Sequence, residues 1–243
     1  MPQQRESAGP VSSQGVSPGG QRFYHPELDA LRALGFVAVF QFHIFQAAPE
    51  LWADKPPWYA HQWWIRSAVL SGAFSLDMFF VLSSFLITSL LIREMDTRGR
   101  LDVRAFWVRR ILRIWPLYFP FLLAVGFAQH LSWVPFLLFG LFVGNWAALA
   151  YDVHDFAIGP LWSVSVEEQF YFAWPLVLLL VPRRRLPWVC AGLIACALAT
   201  RVIVLGLFHG SQEAMWVNTF ARLDGIAIGA LIGTDPRWAV ALG

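Results

Sequence analysis

Seven stretches of this chain, at roughly 28–47, 68–92, 106–128, 131–150, 161–181, 187–208 and 216–234, are apolar over about the 20 residues that a helix needs to cross a bilayer. Lipid offers no partners to backbone N–H and C=O groups, so apolar segments of this length and number predict an all-α fold, a polytopic transmembrane helix bundle of about six to seven segments. Composition agrees: 57% of the 243 residues are hydrophobic and only 14% are charged, outside the range of soluble domains. The 13 Trp and 21 Phe suit aromatic belts at the two interfaces. A net charge of +2 implies no polyanion partner, and no nucleic acid is expected. Cys190 and Cys196, six residues apart in one apolar segment, fall on different helix faces and read as packing residues.

Residues 1–22 are rich in Ser, Gly, Gln and Pro and have little to bury, which predicts a disordered polar tail ahead of one membrane domain over 23–243. The tail does not resemble a signal peptide, and "FQAAP" lacks the small-residue pair of a cleavage site, so the first apolar segment is expected to be retained. Arg93, Arg98, Arg100, Arg104, Arg109, Arg110 and Arg113 cluster in one connection and Arg183, Arg184 and Arg185 in another, whereas 48–66 and 209–215 hold only Lys55 and Arg66. The positive-inside rule then makes the two clusters and the N-terminus cytoplasmic, in a multi-pass protein of the cytoplasmic (inner) membrane. Two complete crossings at 106–128 and 131–150 would put "PRRR" outside. The segment at 131–150 is therefore expected to be re-entrant or partial, weakened at Pro135, Gly140 and Gly144, and "WSVSVEEQ" to begin outside and point inward.

Ionisable residues inside these segments are the functional candidates. Arg32 and His43 are 11 residues apart, about 20° from one helix face and about 16 Å along the axis, with Asp29 near the same stripe. A neutral imidazole can take a proton from a hydroxyl, and an arginine at the inner boundary suits a phosphate or carboxylate. The bland alternative is an arginine reaching headgroups and a histidine bonded between helices. Asp77 lies beside an aromatic run and either serves a site or pairs with a neighbouring arginine. Arg110 and Arg113, one turn apart, form either a clamp for a phosphorylated ligand or a topology signal. Glu167 and Glu168 are about 100° apart, so at most one lines a site.

The succession "ELDALRALGFVAVFQFH", "FSLDMFFVLSSFLITSLLIRE", "FWVRRILRIWPLYF", "LWSVSVEEQFYFAWP" and "RLDGIAIGALIG" resembles the integral-membrane acyltransferase 3 family, in the expected order over residues 24–233. The resemblance implies an O-acyltransferase that moves an acyl group, commonly acetyl, from cytoplasmic acyl-CoA to a hydroxyl of a carbohydrate or other cell-envelope or secreted acceptor. It implies an Arg-x10-His motif at Arg32 and His43, with His43 as the catalytic residue and Arg32 beside it in the catalytic set, and an Arg-x-x-Arg motif at Arg110 and Arg113 in binding the CoA donor; Asp77 and Glu167 fall in matching motifs and join the catalytic candidates. No metal and no tightly bound cofactor are implied, and acyl-CoA enters as a substrate. Ser84 stands where the family usually has glycine. The family bundle has about ten helices, so the chain is expected to be a truncated, N-terminal portion of the domain. A proton-coupled transporter would also carry buried His, Asp, Glu and Arg, and a non-catalytic membrane fragment is the other competing reading. The transporter does not explain five motifs in family order. Neither the acceptor nor the acyl length is legible in the residues.

Overall fold

The computed structural model describes residues 26–47, 63–151, 153, 157–207 and 212–235, and all regular structure among them is helical. The expected tail at 1–22 lies outside the described residues, as do 48–62. The α-helices are α1 (Pro26–Ala47), α2 (Trp63–Ser71), α3 (Ser75–Arg98), α4 (Val103–Ala128), α5 (Trp133–Gly140), α6 (Gly144–Tyr151), α7 (Leu161–Leu180), α8 (Leu186–Leu207), α9 (Gln212–Val217) and α10 (Leu223–Gly233). A 3-10 turn at Gly72–Phe74 joins α2 to α3.

Among the described residues, four stretches are long and apolar enough to cross a membrane: Pro26–Phe45, Ser67–Arg98, Val103–Ala128 and Arg183–Gly206. Three expected segments are absent from that set for different reasons. At 20 residues α7 is long enough, about 30 Å, but Glu167, Glu168 and Gln169 interrupt its apolar run. The segment at 131–150 is two helices of eight residues, each about 12 Å long, separated by a reversal in which Phe142 takes φ 57°. The expected partial segment thus breaks between Gly140 and Gly144. Pro135 sits in the first turn of α5, where its missing N–H costs no helical bond. The stretch 216–234 is not one continuous helix as expected. Asn218 accepts the Phe220 N–H at 2.9 Å and opens a 3-10 turn over Thr219–Arg222, leaving α10 with 11 residues, about 16 Å.

Chain direction follows from two contacts. Gly99, left-handed at φ 67°, closes α3, and the Asp102 carboxylate caps α4 through the Ala105 N–H at 2.9 Å, so the two helices meet at their arginine-rich ends. Arg183 then grips Asp96 with two bonds, at 2.6 and 3.2 Å. The end of α7 therefore lies at the same basic end as the end of α3 and the start of α4, and α7 runs toward it, as the charge pattern predicts.

Packing centres on α3, with α10 laid along it. Gly225, Gly229 and Gly233 recur every fourth residue and form one stripe. A Cβ on Gly229 would meet the Val81 carbonyl and the Ser84 Oγ, and one on Gly233 would come within 2.8 Å of the Phe85 carbonyl. The backbones approach as closely as small-residue stripes allow, which is how helices gain contact where lipid removes the hydrophobic drive. Ser84 fits: fully buried, it donates to the Phe80 carbonyl at 2.7 Å and faces Gly229. One apolar cluster around Ile87, Leu91, Phe106, Trp174 and Leu178 fills the basic half, and another around Tyr118, Leu122 and Phe139 holds α5 on α4.

Polar side chains close the remaining gaps. The reversal after α5 exposes carbonyls, and the Tyr118 hydroxyl donates to Phe139 O at 2.8 Å while Gln169 Nε2 donates to Phe142 O at 2.9 Å. Asn145, Gln169 and Thr219 form a ring: Asn145 donates to Thr219, Thr219 to Gln169, and Gln169 back to Asn145, at 2.9, 2.7 and 3.0 Å. Irregular backbone is tolerated at membrane depth only with such partners.

Replacing Gly229 with Leu forces side-chain volume against α3 backbone, and a loss of about 3 kcal/mol is expected from overpacking. Gly192 faces open space, so Gly192→Ala is expected to be neutral or to stabilise by up to about 1 kcal/mol. Thermal unfolding of the purified chain in detergent checks both; equal behaviour of the two variants would show that the α3–α10 contact is not tight.

Candidate active site

At the basic half of the bundle, α1, α3, α4 and α7 surround a cavity of about 390 Å³. Its polar lining is Arg32 and Asp29 from α1, Ser83 from α3, Arg110 and Arg113 from α4, and Glu167 and Tyr171 from α7; Leu28, Phe79, Leu86, Ile87, Leu90 and Ile114 complete the wall. Three of the arginines picked out in the sequence thus share one space with one of the glutamates.

The helices are held in place around the cavity by specific bonds. Pro175 has no N–H to offer the carbonyl four residues earlier, so the Tyr171 carbonyl lacks its helical donor. The Trp107 indole supplies one at 3.3 Å, and its ring stacks on Phe172 at 4.5 Å. This bond joins α4 to α7 one turn from Arg110. The Arg110 guanidinium sits 5.4 Å from the Phe106 ring centre and 5.5 Å from that of Tyr171, a setting that suits a cation on aromatic faces. No carboxylate among the described residues lies within ion-pair distance of Arg110 or Arg113, so their N–H groups are not consumed by protein anions.

Glu167 accepts the Tyr171 hydroxyl at 2.8 Å and the Ser83 hydroxyl at 3.3 Å. The motifs alone single out neither Tyr171 nor Ser83. A signal for Tyr171 was present, since a residue four after Glu167 lies over it on the same helix face. Glu168 does not line the cavity. It faces Trp115, with Glu168 Oε1 and Trp115 Nε1 both buried and outside hydrogen-bonding geometry.

Two candidates lie elsewhere. His43 is half-buried on the far half of α1, with its ring edge-on to Phe42 at 5.4 Å, and is not part of the cavity lining. Close approaches of Gly35 to Met78 and of Gly72 to the Ala38 carbonyl show α1 running antiparallel to α3, so Arg32 is level with the cavity and His43 about 16 Å beyond it. Asp77 is taken by Arg222, which donates to its carboxylate at 2.8 Å and to the Trp216 carbonyl at 2.8 Å, with the Trp216 ring centre 4.1 Å from the guanidinium. Of the two readings of Asp77, pairing with an arginine is the one the geometry displays. Arg222 is 145 residues away in sequence, and nothing in the spacing of the motifs signals it. Beside it, Arg201 of α8 pairs with Asp224 of α10 at 2.8 Å.

The comparisons with known proteins extend over nearly the same residues. O-acetyltransferase OatA of Staphylococcus aureus, strains NCTC 8325 / PS 47 and COL, is 31% identical over 231 residues, covering 86% of this chain and 34% of the relative. A protein of Staphylococcus aureus strain MSSA476, named there as a putative O-acetyltransferase, is 28% identical over 229 residues with the same coverage. The chain spans about a third of the length of these curated relatives. No solved structure matches it. The acyltransferase 3 model, described as an acyltransferase domain, matches residues 25–241, the span that carries the arginine cavity, α1 with His43 and the α10 glycine stripe, and the chain belongs to that family.

Proposed function

We propose that this chain is the donor-handling portion of a membrane O-acyltransferase that takes an acyl group, acetyl by family precedent, from acyl-CoA and delivers it to a hydroxyl of a carbohydrate or related cell-envelope acceptor. The observation that carries this reading is the gathering of Arg32, Arg110 and Arg113 around one cavity at the basic end, with the two α4 guanidinia lacking carboxylate partners among the described residues. Such a set suits the phosphates of a cytoplasmic CoA ester, since Arg offers paired, fixed donors to phosphate oxygens. The names of the relatives support O-acetylation as the chemistry.

In this reading, the helices lie in the inner membrane with the N-terminus and the arginine-rich end of the bundle cytoplasmic. CoA lies with its phosphates among the arginines and its acyl arm directed along α1 toward His43. A neutral His43 nitrogen takes the proton of the acceptor hydroxyl. The hydroxyl oxygen bonds to the thioester carbonyl carbon, the carbon–sulfur bond breaks, and CoA leaves with a proton as the free thiol. Glu167 offsets the arginine charge and, through Tyr171 and Ser83, fixes the floor on which the donor rests. Holding donor and acceptor in line supplies much of the rate. In the variant of this route, His43 itself carries the acyl group between the two sites.

In membranes containing the folded chain, His43→Ala is expected to lower acceptor-dependent CoA release by about 10²–10⁴-fold, the range of a lost general base; undiminished turnover would remove His43 from the chemistry. Arg110→Ala and Arg113→Ala are each expected to raise the donor KM about tenfold, the effect of one charge-assisted hydrogen bond, with acceptor KM unchanged. Steady-state kinetics against donor and acceptor in turn separate the two, and a change confined to the acceptor would contradict the assignment.

A further inference from the structure

A second hollow, of about 320 Å³, opens at the basic end between α3 and α4 and shares Leu90 and Arg110 with the cavity already described. Its polar wall comes from Arg93, Glu94, Thr97 and Arg98 on α3 and Arg109 and Arg110 on α4, with Phe106 beneath. Arg110 is thus the partition between two connected spaces. From Thr97 to Ser83 the pair extends along 14 residues of α3, about 21 Å, far longer than wide.

The outer hollow is organised around one carboxylate. Glu94, largely buried, accepts Arg98 at 3.3 Å and the Asp102 N–H at 3.4 Å through one oxygen, and Arg109 at 3.5 Å through the other. Arg98 and Arg109 come from different helices and are more than half exposed. Each is long and would otherwise sweep freely through water; one carboxylate aims both at the same hollow. Each bond to Glu94 uses only one of five guanidinium donors, and two cations against one anion leave net positive charge facing the opening. This arrangement suits a dianionic phosphate monoester.

We propose, resting on the acyl-CoA reading above, that the outer hollow seats the 3′-phosphorylated ribose of CoA, with Arg98 and Arg109 contacting the 3′-phosphate and Glu94 as the residue that positions them. The pyrophosphate then sits at the junction and the adjoining inner cavity, within reach of Arg110, Arg113 and Arg32, and the pantetheine arm leads on from there toward His43. The terminal phosphate carries no chemistry in acyl transfer, so its contacts set donor affinity and selectivity between CoA and nucleotides or thioesters that lack it. Anionic lipid headgroups present the same phosphate chemistry at this depth, and the test separates the two sources.

The measurement is equilibrium binding of CoA and of 3′-dephospho-CoA to the full chain in nanodiscs, of neutral phosphatidylcholine and then with phosphatidylglycerol added, for the native protein and for Arg98→Gln/Arg109→Gln. The substituted side chains are exposed and weakly paired, so the variant is expected to fold. The native chain is expected to bind CoA at least tenfold more tightly than 3′-dephospho-CoA, and the double variant to lose that preference by weakening CoA alone. Measurable binding of both ligands without preference, or a preference that survives the double substitution, would overturn the proposal and leave the acyl-CoA reading standing. Binding of neither ligand would overturn that reading and this one together. If phosphatidylglycerol abolishes the preference in the native chain, the arginines belong to headgroups and the proposal falls.

Discussion

α3 and α10 lie backbone against backbone, because Gly225, Gly229 and Gly233 leave no side chain between them and the Val81 and Phe85 carbonyls. Several other placements follow from that contact. With α10 seated, the turn preceding it delivers Arg222 to Asp77 and Thr219 to Gln169, and α8 is drawn in through Arg201 and Asp224. In hydrocarbon an unpaired charge or amide is costly, so each of these pairings fixes a helix more firmly than the same bond would at a wet surface. The outward faces of α1, α4 and α8 remain apolar and exposed, Leu34, Leu117 and Val202 among them, as lipid-facing surfaces should.

The site is built from the same constraint. A proline in α7 frees a carbonyl, a tryptophan in α4 satisfies it, and that bond sets Arg110 against Tyr171 and the cavity. Glu167 is acceptable in this apolar region because two hydroxyls donate to it and arginines surround it. α1 is different in kind. It presents mostly exposed apolar residues, packs chiefly on α2 and α3, and carries both the arginine that lines the cavity and the histidine beyond it. One helix therefore connects the basic end to the far half, and in the proposed function the separation of Arg32 from His43 is the distance that the donor arm bridges.

Much of this was legible in the residues. The apolar runs marked the long helices, Gly140 and Gly144 marked the break in 131–150, and the arginine clusters gave the direction of α7, which the Arg183–Asp96 bond bears out. Arg32, Arg110, Arg113 and Glu167 could be singled out because a charge in an apolar run needs a reason. Partners distant in sequence could not: nothing local ties Asp77 to Arg222 or Asn145 to Thr219, since those meetings depend on how α10 docks. The stretch 216–234 was misjudged as one span because its composition is apolar throughout, while Asn218 and the buried Arg222 impose a 3-10 turn that averaged hydropathy does not register.

In the proposed function, donor and acceptor approach His43 from opposite ends of α1. Sealed vesicles of both orientations, containing the chain and an acceptor sugar on one side, test it most directly when acyl-CoA is supplied on one side at a time. Acylation only with CoA ester at the basic face, where Arg183–Arg185 lie, and acceptor at the opposite face is the expected result. Equal turnover with both substrates at the same face would contradict the division of α1 into a donor end and an acceptor end.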